Sequence, residues 1–377
     1  MTAPRAARTL AFRMGHARGD DWREAVASAL EQIGAAPPGA NLGFLYVSDR
    51  ISGDAAAILD RVREATGVRD WTGAVGMGVL ATGVEYTDEP AVAVMIGALP
   101  EGEFQVFSGR SRAPRPGTRT ASGAEAAHFA IVHGDPNTDD MPELVEDMSS
   151  KVASGYLVGG LASARATAAL FANEVLQGGL AGVVLSDRVE VTTRLTQGCV
   201  PIGPPRAVTA GERNVIATLD GRAALEVLRE DIGATLGGDL RRAAQVIHVG
   251  LPVAGSDTGD YLVRSLVGFD PRNGLIAIGA GVEQGMQVVF CRRDEAAARA
   301  DLHRMLDRIS TDLDGAPKGG LYFSCVGRGE HLFGRRSAEL ELIARRLGEF
   351  PLVGFFCNGE ISHDRLYGYT GVLTLFR

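Results

Sequence analysis

Four polar residues follow two apolar segments near the end of the chain, and their types are those of a binding or catalytic site. Cys325 and Arg328 lie in GLYFSCVGRG, and Asn358 and Glu360 lie in FPLVGFFCNGE. Each segment reads as a buried strand followed by a glycine-containing turn. In open α/β sheets, ligands bind beyond the carboxyl ends of the strands. If the two strands are parallel neighbours, these four side chains meet at one edge of the sheet.

Two kinds of chemistry are open to this edge. A guanidinium and a carboxylate beside glycine-rich backbone can hold the charged ends of a zwitterion, and the alternative is that Arg328 and Glu360 pair with each other. Cys325 would be a nucleophile if Arg328 favoured its thiolate and His331 or His363 served as the base. Cysteine is also one of the most often buried residue types. We therefore expect a binding pocket with Cys325 in its wall.

Three further residues have types that suit a ligand site. Arg264, in YLVRSLVGFD, is a charge in an otherwise apolar strand, and it either faces solvent or adds a cation to the pocket. His133 ends an apolar strand, and His363 lies in a predicted loop beside the sheet edge. The seven histidines are scattered, and none pairs with another His or Cys at the short spacing of a metal site.

Composition limits the function further. The chain has 377 residues, 45% of them hydrophobic and 22% charged, which is typical of a globular protein with one large domain or two. A net charge of −8 argues against non-specific nucleic-acid binding. The four cysteines form no CxxC pair, which favours a reducing compartment. No apolar segment has the length of a signal peptide or a membrane span, so we expect a cytoplasmic protein with no membrane partner.

Standard catalytic and nucleotide-binding motifs are missing from the sequence. It contains no P-loop, no GxSxG elbow, no HExxH and no kinase signature, and no GxGxxG connects a strand to a helix. We therefore expect a protein that is not an enzyme, with a cysteine-dependent enzyme as the remaining catalytic alternative.

An order of strand, helix, strand and strand occurs three times. The predicted copies are 42–47, 55–65, 73–79 and 91–96; then 128–132, 142–152, 156–161 and 180–185; then 321–323, 337–347, 352–356 and 372–376. In each copy the strand after the helix contains a glycine, which indicates either close helix packing or a bulge, or a backbone-lined pocket. The predicted fold class is mixed α/β (α+β), with repeated modules that form mixed sheets around a pseudo-symmetric centre.

Helices are predicted outside these copies as well. The first, from Trp22 to Ile33, is capped by Asp20 or Asp21 and ends at Gly34. In the segment between the second and third copies, a helix over 221–232 is capped by Asp220. A later helix over 295–313 has an apolar stripe that leaves His303 in solvent.

At GLYFSCVGRG, FPLVGFFCNGEI and YGYTGVLTLF the sequence resembles the FIST family, a sensory domain of bacterial signalling proteins and of a eukaryotic F-box protein. LGFLYVSD, YLVGGLAS and YLVRSLVGFD resemble family segments in the expected order, so the resemblance extends over nearly the whole chain. It implies a two-part architecture, with an N-terminal domain over residues 1–216 and a C-terminal domain over 217–377.

The resemblance also implies a function. It implies a domain that binds a small molecule such as an amino acid without a cofactor. Because the sequence has no kinase, cyclase or F-box segment, a separate signalling partner would receive the output. Some family members bind haem as nitric-oxide sensors, and haem held by His363 or His133 is the alternative. The family motif residues carried over to this chain are Gly159, Gly160, Cys325, Gly327, Arg328, Gly329, Gly359, Glu360, Gly368, Tyr369 and Thr370. The residue analysis adds Asn358 and Arg264 as candidate ligand contacts.

Overall fold

The computed structural model describes residues 10–253 and 261–377, and the chain divides into two compact units. The first unit is Met1–Leu195 with Arg304–Arg377, and the second is Thr196–His303. The second unit is therefore an insertion in the sequence of the first.

The first part of the chain contains β1 (Ala11–Arg18), α1 (Trp22–Ile33), β2 (Leu42–Ser48), a 3-10 helix (Asp49–Asp54), α2 (Ala55–Thr66), β3 (Asp70–Gly76), β4 (Gly78–Ala81), β5 (Val84–Thr87), β6 (Ala91–Ala98), β7 (Phe104–Phe107), β8 (Phe129–Gly134), α3 (Met141–Ser150), β9 (Tyr156–Leu161), β10 (Leu170–Ala172), β11 (Val175–Leu176), β12 (Leu180–Leu185) and β13 (Val191–Thr196). The next part contains β14 (Val200–Pro201), β15 (Arg206–Glu212), β16 (Val215–Leu219), β17 (Arg222–Ala223), α4 (Ala224–Gly237), α5 (Leu240–Val246), β18 (Ile247–Pro252), β19 (Tyr261–Asp270), β20 (Leu275–Ile278) and β21 (Gln287–Arg292). The last part contains α6 (Glu295–Asp312), β22 (Gly319–Cys325), α7 (Glu330–Phe333), α8 (Ala338–Leu347), β23 (Leu352–Cys357), β24 (Glu360–His363), β25 (Arg365–Tyr367) and β26 (Gly371–Phe376).

Three modules of the first unit share one order of elements. Each has a strand, a helix, a second strand parallel to the first, a short hairpin and a last strand antiparallel to the first. Module 1 runs from β2 to β6, module 2 from β8 to β12 and module 3 from β22 to β26. This confirms the predicted mixed α/β class and the threefold repetition, although the structure adds a hairpin to the predicted order.

The hairpin of each module pairs with the sheet of another module. The β4–β5 hairpin of module 1 pairs through β4 with β23 of module 3, and the β10–β11 hairpin of module 2 pairs through β10 with β3 of module 1. The β24–β25 hairpin of module 3 pairs through β24 with β9 of module 2. The exchange is cyclic, so every module gives one hairpin and receives one.

Glycines at equivalent positions let the paired parallel strands of each module approach closely. A Cβ on Gly159 would lie 1.7 Å from the Val132 carbonyl oxygen, which no side chain could accept. The corresponding distances are 1.8 Å for Gly73 to Leu45 and 1.7 Å for Gly354 to Tyr322. Close approach of the paired strands therefore accounts for all three glycines, an explanation that differs from the helix packing, bulge or pocket predicted from the sequence.

The three modules meet at a cluster of rings. The cluster consists of the rings of Tyr46, His133 and Phe323, whose centroids lie 5.7 to 6.3 Å apart. Each of these residues comes directly after the register partner of one of the three glycines. All three are fully buried. The Tyr46 hydroxyl lies 3.2 Å from His133 Nε2, and the Thr72 hydroxyl lies 3.3 Å from His133 Nδ1. Burial lowers the pKa of His133 to about 3, so its ring is neutral.

The N-terminal helix follows its sequence signals, whereas the strand before it was not predicted. The Asp21 side chain accepts a hydrogen bond from the Arg23 amide, and Gly34 ends α1 with a φ of 60°. This confirms the predicted cap and stop. Strand β1 lies at the edge of a sheet beside β6, and its arginines and glycine hid the strand pattern.

The second unit is built around a closed set of strands. They follow the order β21-β15-β16-β20-β19-β18, and β18 pairs again with β21. The predicted helix over 221–232 begins later, at Ala224, because Arg222–Ala223 forms β17 against β16. Asp220 has a φ of 49° and lies before that strand, so the predicted cap was wrong. His303 is exposed on α6, as predicted.

Candidate functional site

Strands β22 and β23 are parallel neighbours, which confirms the arrangement on which the predicted site depended. Their register pairs Cys325 with Cys357, the last residue of each strand. The turns after the two strands, and the turn before β26, therefore lie at one edge of the sheet.

Arg328 belongs to a fully buried ion pair with Glu339, at the start of α8. Its Nε donates to Glu339 Oε1 at 2.9 Å, and its Nη2 donates to the same oxygen. The Tyr322 and Ser324 hydroxyls also donate to this carboxylate, and Arg328 Nη1 donates to the Tyr369 carbonyl. The structure therefore gives Arg328 a partner, Glu339, that the sequence did not suggest. Sequence reasoning missed Glu339 because a helical glutamate gives no signal of burial.

Glu360 is also fully buried, and its contacts are with the turn before β26. Its Oε2 accepts from the Thr370 amide at 3.0 Å and from the Thr370 hydroxyl at 2.8 Å. Its Oε1 is buried, and no protein hydrogen bond to this oxygen is seen among the described residues. Burial raises the pKa of Glu360 to about 8, against the opposing effects of Thr370 and Arg328. Glu360 is therefore a protonated carboxyl at neutral pH.

A second buried carboxyl, Glu85, was missed from the sequence. It lies on β5, in the hairpin that module 1 gives to module 3, and its Oε1 accepts from the Glu330 amide at 2.9 Å. Its Oε2 is buried without a hydrogen-bond partner among residues 10–253 and 261–377. Burial raises the pKa of Glu85 to about 7. The only sequence signal of this buried carboxyl was a charged residue in VEYT, a short segment in which apolar and polar residues alternate.

A small pocket of about 60 Å³ lies next to these groups, and all three modules contribute to it. Its lining residues are Met77, Thr87, Asp88, Arg165, Val326, Arg328, Glu330, His331 and Phe356. Arg165 forms ion pairs with Asp49 and Asp88. The Thr87 hydroxyl is buried and has no hydrogen-bond partner in the part of the chain that the structure describes.

Ser163 joins the three modules behind this pocket. Its hydroxyl donates to the Phe356 carbonyl and accepts from the Met77 amide, while its own amide donates to the Val75 carbonyl. The chain then leads directly to Arg165, so this hydrogen-bonded turn positions the arginine at the pocket. Arg165 lies in a polar segment without periodicity, which is why the sequence did not reveal it.

Apart from Arg264, the other predicted site residues lie in the strands and turns of modules 2 and 3, outside the pocket lining. Gly329, with a φ of 60°, packs against Phe356. The backbone of Asn358 and Gly359 bonds to Leu161 of module 2, so this turn connects two modules. The remaining predicted residues of this group are Gly159, Gly160, Cys325, Gly327, Glu360, Gly368, Tyr369 and Thr370. Of the predicted residues, Arg328 lines the pocket.

Arg264 lies on β19 of the second unit and is not part of this cluster. Its Nη1 donates to the Val263 carbonyl at 2.9 Å. The predicted loop at His363 is also different in the structure, where His363 ends β24 and pairs with Leu157 of β9. Residues 360–363 extend the module 2 sheet, which explains why a loop prediction failed there.

The surroundings of His133 and His363, the two histidines proposed as haem ligands, do not suit haem binding. Both ring nitrogens of His133 face hydroxyl groups inside the core. The His363 side chain is half exposed, and its Nδ1 lies 3.0 Å from Asp364 Oδ1. Neither histidine lines the small pocket described above.

The fold and site define a mixed α/β protein of three modules with exchanged hairpins and a small charged pocket where they meet. The FIST N domain model matches residues 41–222 and the FIST C domain model matches residues 224–363, and the chain belongs to the FIST family. FIST domains are sensory, non-enzymatic domains of signal transduction.

Curated relatives match along nearly their full length. Uncharacterized protein MT0656 of Mycobacterium tuberculosis is 35% identical over 94% of this chain and 95% of its own. Uncharacterized protein Mb0898c of Mycobacterium bovis is 32% identical over 94% of each chain. Among the described residues, no helix combines the length and apolar character needed to cross a membrane.

Proposed function

We propose that the protein is a cytoplasmic sensor that binds a small zwitterion, such as an amino acid, in the pocket between the three modules. One observation carries this proposal: the pocket combines two arginines and two carboxylates with a buried hydroxyl, Thr87 Oγ1, that has no hydrogen-bond partner among the described residues. Buried polar groups are normally hydrogen-bonded, so such a hydroxyl suits a ligand contact.

Arg165 is the group that would bind the ligand carboxylate. Its Nη1 is held by Asp49, which is 4% exposed, but its Nη2 pairs with Asp88, which is 61% exposed, so a ligand can compete for that side of the guanidinium. Arg328 is less suited to direct binding because Glu339 already takes its Nε and Nη2. Its charge instead favours an anionic group at the pocket wall. This assigns Arg165 the role that the sequence suggested for Arg328.

The rest of the pocket would select a small ligand. Glu330 and Asp88 suit an ammonium group, the Thr87 hydroxyl suits a polar atom, and Met77 and Phe356 offer apolar contact. A volume of about 60 Å³ favours a compact amino acid over a long one. Since each module supplies lining residues, ligand binding would change the contacts among modules, and a separate signalling protein would detect that change.

Thermal unfolding against a panel of amino acids tests the proposal. A ligand at 100 times its dissociation constant stabilises the folded state by about 2.7 kcal/mol. We expect stabilisation by a small amino acid, lost in Arg165→Ala and kept in Arg110→Ala, whose exposed arginine pairs with Glu174 away from the pocket. Flat responses to the whole panel would count against the proposal. A specific Soret band after haem reconstitution, lost in His363→Ala, would replace it with the haem alternative.

A further inference from the structure

The thiols of Cys325 and Cys357 form a pair that ligand binding does not use. The two residues are register partners on neighbouring parallel strands. Neighbouring strands lie about 4.8 Å apart, and a disulfide needs its two Cα atoms about 4.4 to 6.8 Å apart. Both residues end their strands, where the backbone has more freedom to adjust than in the middle of the sheet. With the usual strand separation, the Cα atoms of these register partners fall within the range that a disulfide requires.

A carboxyl group lies beside this pair. The Cys325 amide donates to the Thr370 carbonyl, and Thr370 donates twice to Glu360 Oε2. The Cys325 thiol is hydrogen-bonded to the Glu360 carboxyl, whereas burial and, to a lesser degree, the Glu360 charge raise the pKa of Cys357. Gly160 is the register partner of Glu360, and a Cβ there would lie 2.3 Å from Cys357 Sγ. The glycine leaves the space that the Cys357 thiol occupies next to Glu360.

We propose that Cys325 and Cys357 form a redox-active dithiol that hydrogen peroxide converts to a disulfide, with Glu360 accepting the proton of the Cys325 thiol. This site is distinct from the amino-acid pocket and does not depend on it. It gives a sensory domain a second input, an oxidant of the peroxide class.

The reaction has two steps. In the first, the carboxylate form of Glu360, which prevails above its pKa of about 8, takes the Cys325 proton, the sulfur attacks one peroxide oxygen, the O–O bond breaks, and the departing hydroxide takes the proton back and leaves as water. Cys325 becomes a sulfenic acid. In the second step, the Cys357 sulfur attacks the Cys325 sulfur, an S–S bond forms and the S–O bond breaks. The hydroxyl leaves with the Cys357 proton as a second water, so two thiols are oxidised and one peroxide is reduced.

The burial of the pair explains the choice of oxidant. Cys325 is 8% exposed and Cys357 is fully buried, so a molecule close to water in size can reach them more readily than a bulky disulfide. Val326 and Phe356, the chain neighbours of the two cysteines, line the amino-acid pocket. A disulfide would tie the strand ends that carry these two residues.

The chain supplies its own control cysteines. Cys199 and Cys291 are buried in the second unit, and burial raises the pKa of Cys291 as it raises that of Cys357, so what distinguishes the proposed pair is that its two cysteines are register partners. They lie on or beside strands whose register does not pair them with each other in the described residues. General thiol oxidation would consume them as well, whereas the proposed reaction leaves them as thiols.

Peptide mapping without reduction, after peroxide treatment of the full chain, tests the proposal. We expect one disulfide between Cys325 and Cys357, and a fall from four titratable thiols to two in denaturant. In Cys357→Ser, dimedone should trap the Cys325 sulfenic acid, and Cys325→Ser should give neither product. Four thiols after saturating peroxide, or disulfides that involve Cys199 or Cys291 equally, would overturn the proposal.

Glu360→Gln tests the role of the carboxyl. We expect oxidation at least ~10-fold slower, since positioned proton acceptors contribute this much or more. The wild-type rate should rise as the pH passes the Glu360 pKa of about 8, and this rise should be absent in the variant. Equal rates and equal pH profiles would refute the role of Glu360. If the variant does not fold, the dimedone result in Cys357→Ser and the wild-type pH profile decide the proposal.

Discussion

The Arg328 guanidinium and the Glu339 carboxylate form an ion pair in which both side chains are fully buried. Removal of one partner from such a pair leaves an uncompensated charge in the core, which costs about 3–5 kcal/mol. We therefore expect Arg328→Ala to lower the free energy of unfolding by about that amount, as measured by urea denaturation.

Arg335 and Glu341 provide the matched control for that variant. They also form an ion pair, but the Arg335 side chain is 54% exposed. Exposed pairs contribute about 0–1 kcal/mol, so Arg335→Ala is expected to have a small effect. If the two variants lost similar free energies of unfolding, burial would not explain the contribution of the Arg328–Glu339 pair to stability.

Gly159→Ala should destabilise the protein through a backbone clash. The added Cβ would lie 1.7 Å from the Val132 carbonyl oxygen, and Gly159 has a φ of 150°. Overpacking in a core costs about 1–3 kcal/mol, occasionally more, and we expect the upper end in thermal or urea unfolding. Gly53→Ala, where a Cβ meets nothing within 4 Å, should be nearly neutral. A stable Gly159→Ala protein would mean that the parallel strands can separate at little cost.

Protonation of Glu85 and Glu360 should make stability depend on pH. Their folded pKa values, about 7 and about 8, lie above the ordinary value of 4.5, so the folded chain holds protons that the unfolded chain releases. The stability from this effect is complete below pH ~4.5 and is lost as the pH rises toward 7 and 8. The slope is about 1.4 kcal/mol per pH unit for each carboxyl.

Urea unfolding between pH 5 and pH 9 measures this slope. Glu360→Gln should remove the part of the slope that comes from Glu360, and Glu85→Gln should remove the part that comes from Glu85. A wild-type stability that rises with pH over this range would contradict the assignment of both carboxyls.

Tyr46→Phe should destabilise the centre where the modules meet. The substitution leaves His133 Nε2 buried without the Tyr46 hydroxyl, and a buried group left unsatisfied costs about 1–3 kcal/mol. Tyr86→Phe is the control, since the hydroxyl of this half-buried residue lies 2.6 Å from His16 Nδ1 nearer the surface. Denaturation of both variants should give the larger loss for Tyr46→Phe, and the reverse order would count against a central role for the Tyr46–His133 contact.

A fragment of residues 1–216 should not fold by itself. It lacks β23, the partner of β4, and β24, the partner of β9. We expect it to bind a hydrophobic dye and to unfold without a cooperative transition, and we expect co-expression with residues 217–377 to restore a folded complex. A monomeric fragment with sharp unfolding would show that the predicted N-terminal domain is independent of module 3.

The elements with strong periodicity could be predicted, and the contacts between modules could not. Apolar strands such as β2 and β9, and the α1 cap at Asp21, carry their signals within a few residues. Glu85 accepts a hydrogen bond from the amide of Glu330, which lies 245 positions later in the sequence. No local sequence pattern encodes a contact between positions so far apart. The sequence therefore led to the right sheet edge, with Cys325 and Arg328, but could not identify Glu339, Glu85 or Arg165.

The cyclic hairpin exchange has a consequence for how the chain is made. The hairpin of module 1 cannot pair until β23 has been synthesised. The Thr82 hydroxyl in this hairpin donates to the Phe350 carbonyl, 268 positions later in the sequence. At a synthesis rate of roughly 5–20 residues per second, β4 emerges from the ribosome tens of seconds before its partner. During that interval its free edge is open to aggregation. Completion of the first module is therefore a late event in the biogenesis of the protein, and chaperones that cover exposed strand edges would protect it until the C-terminus is released.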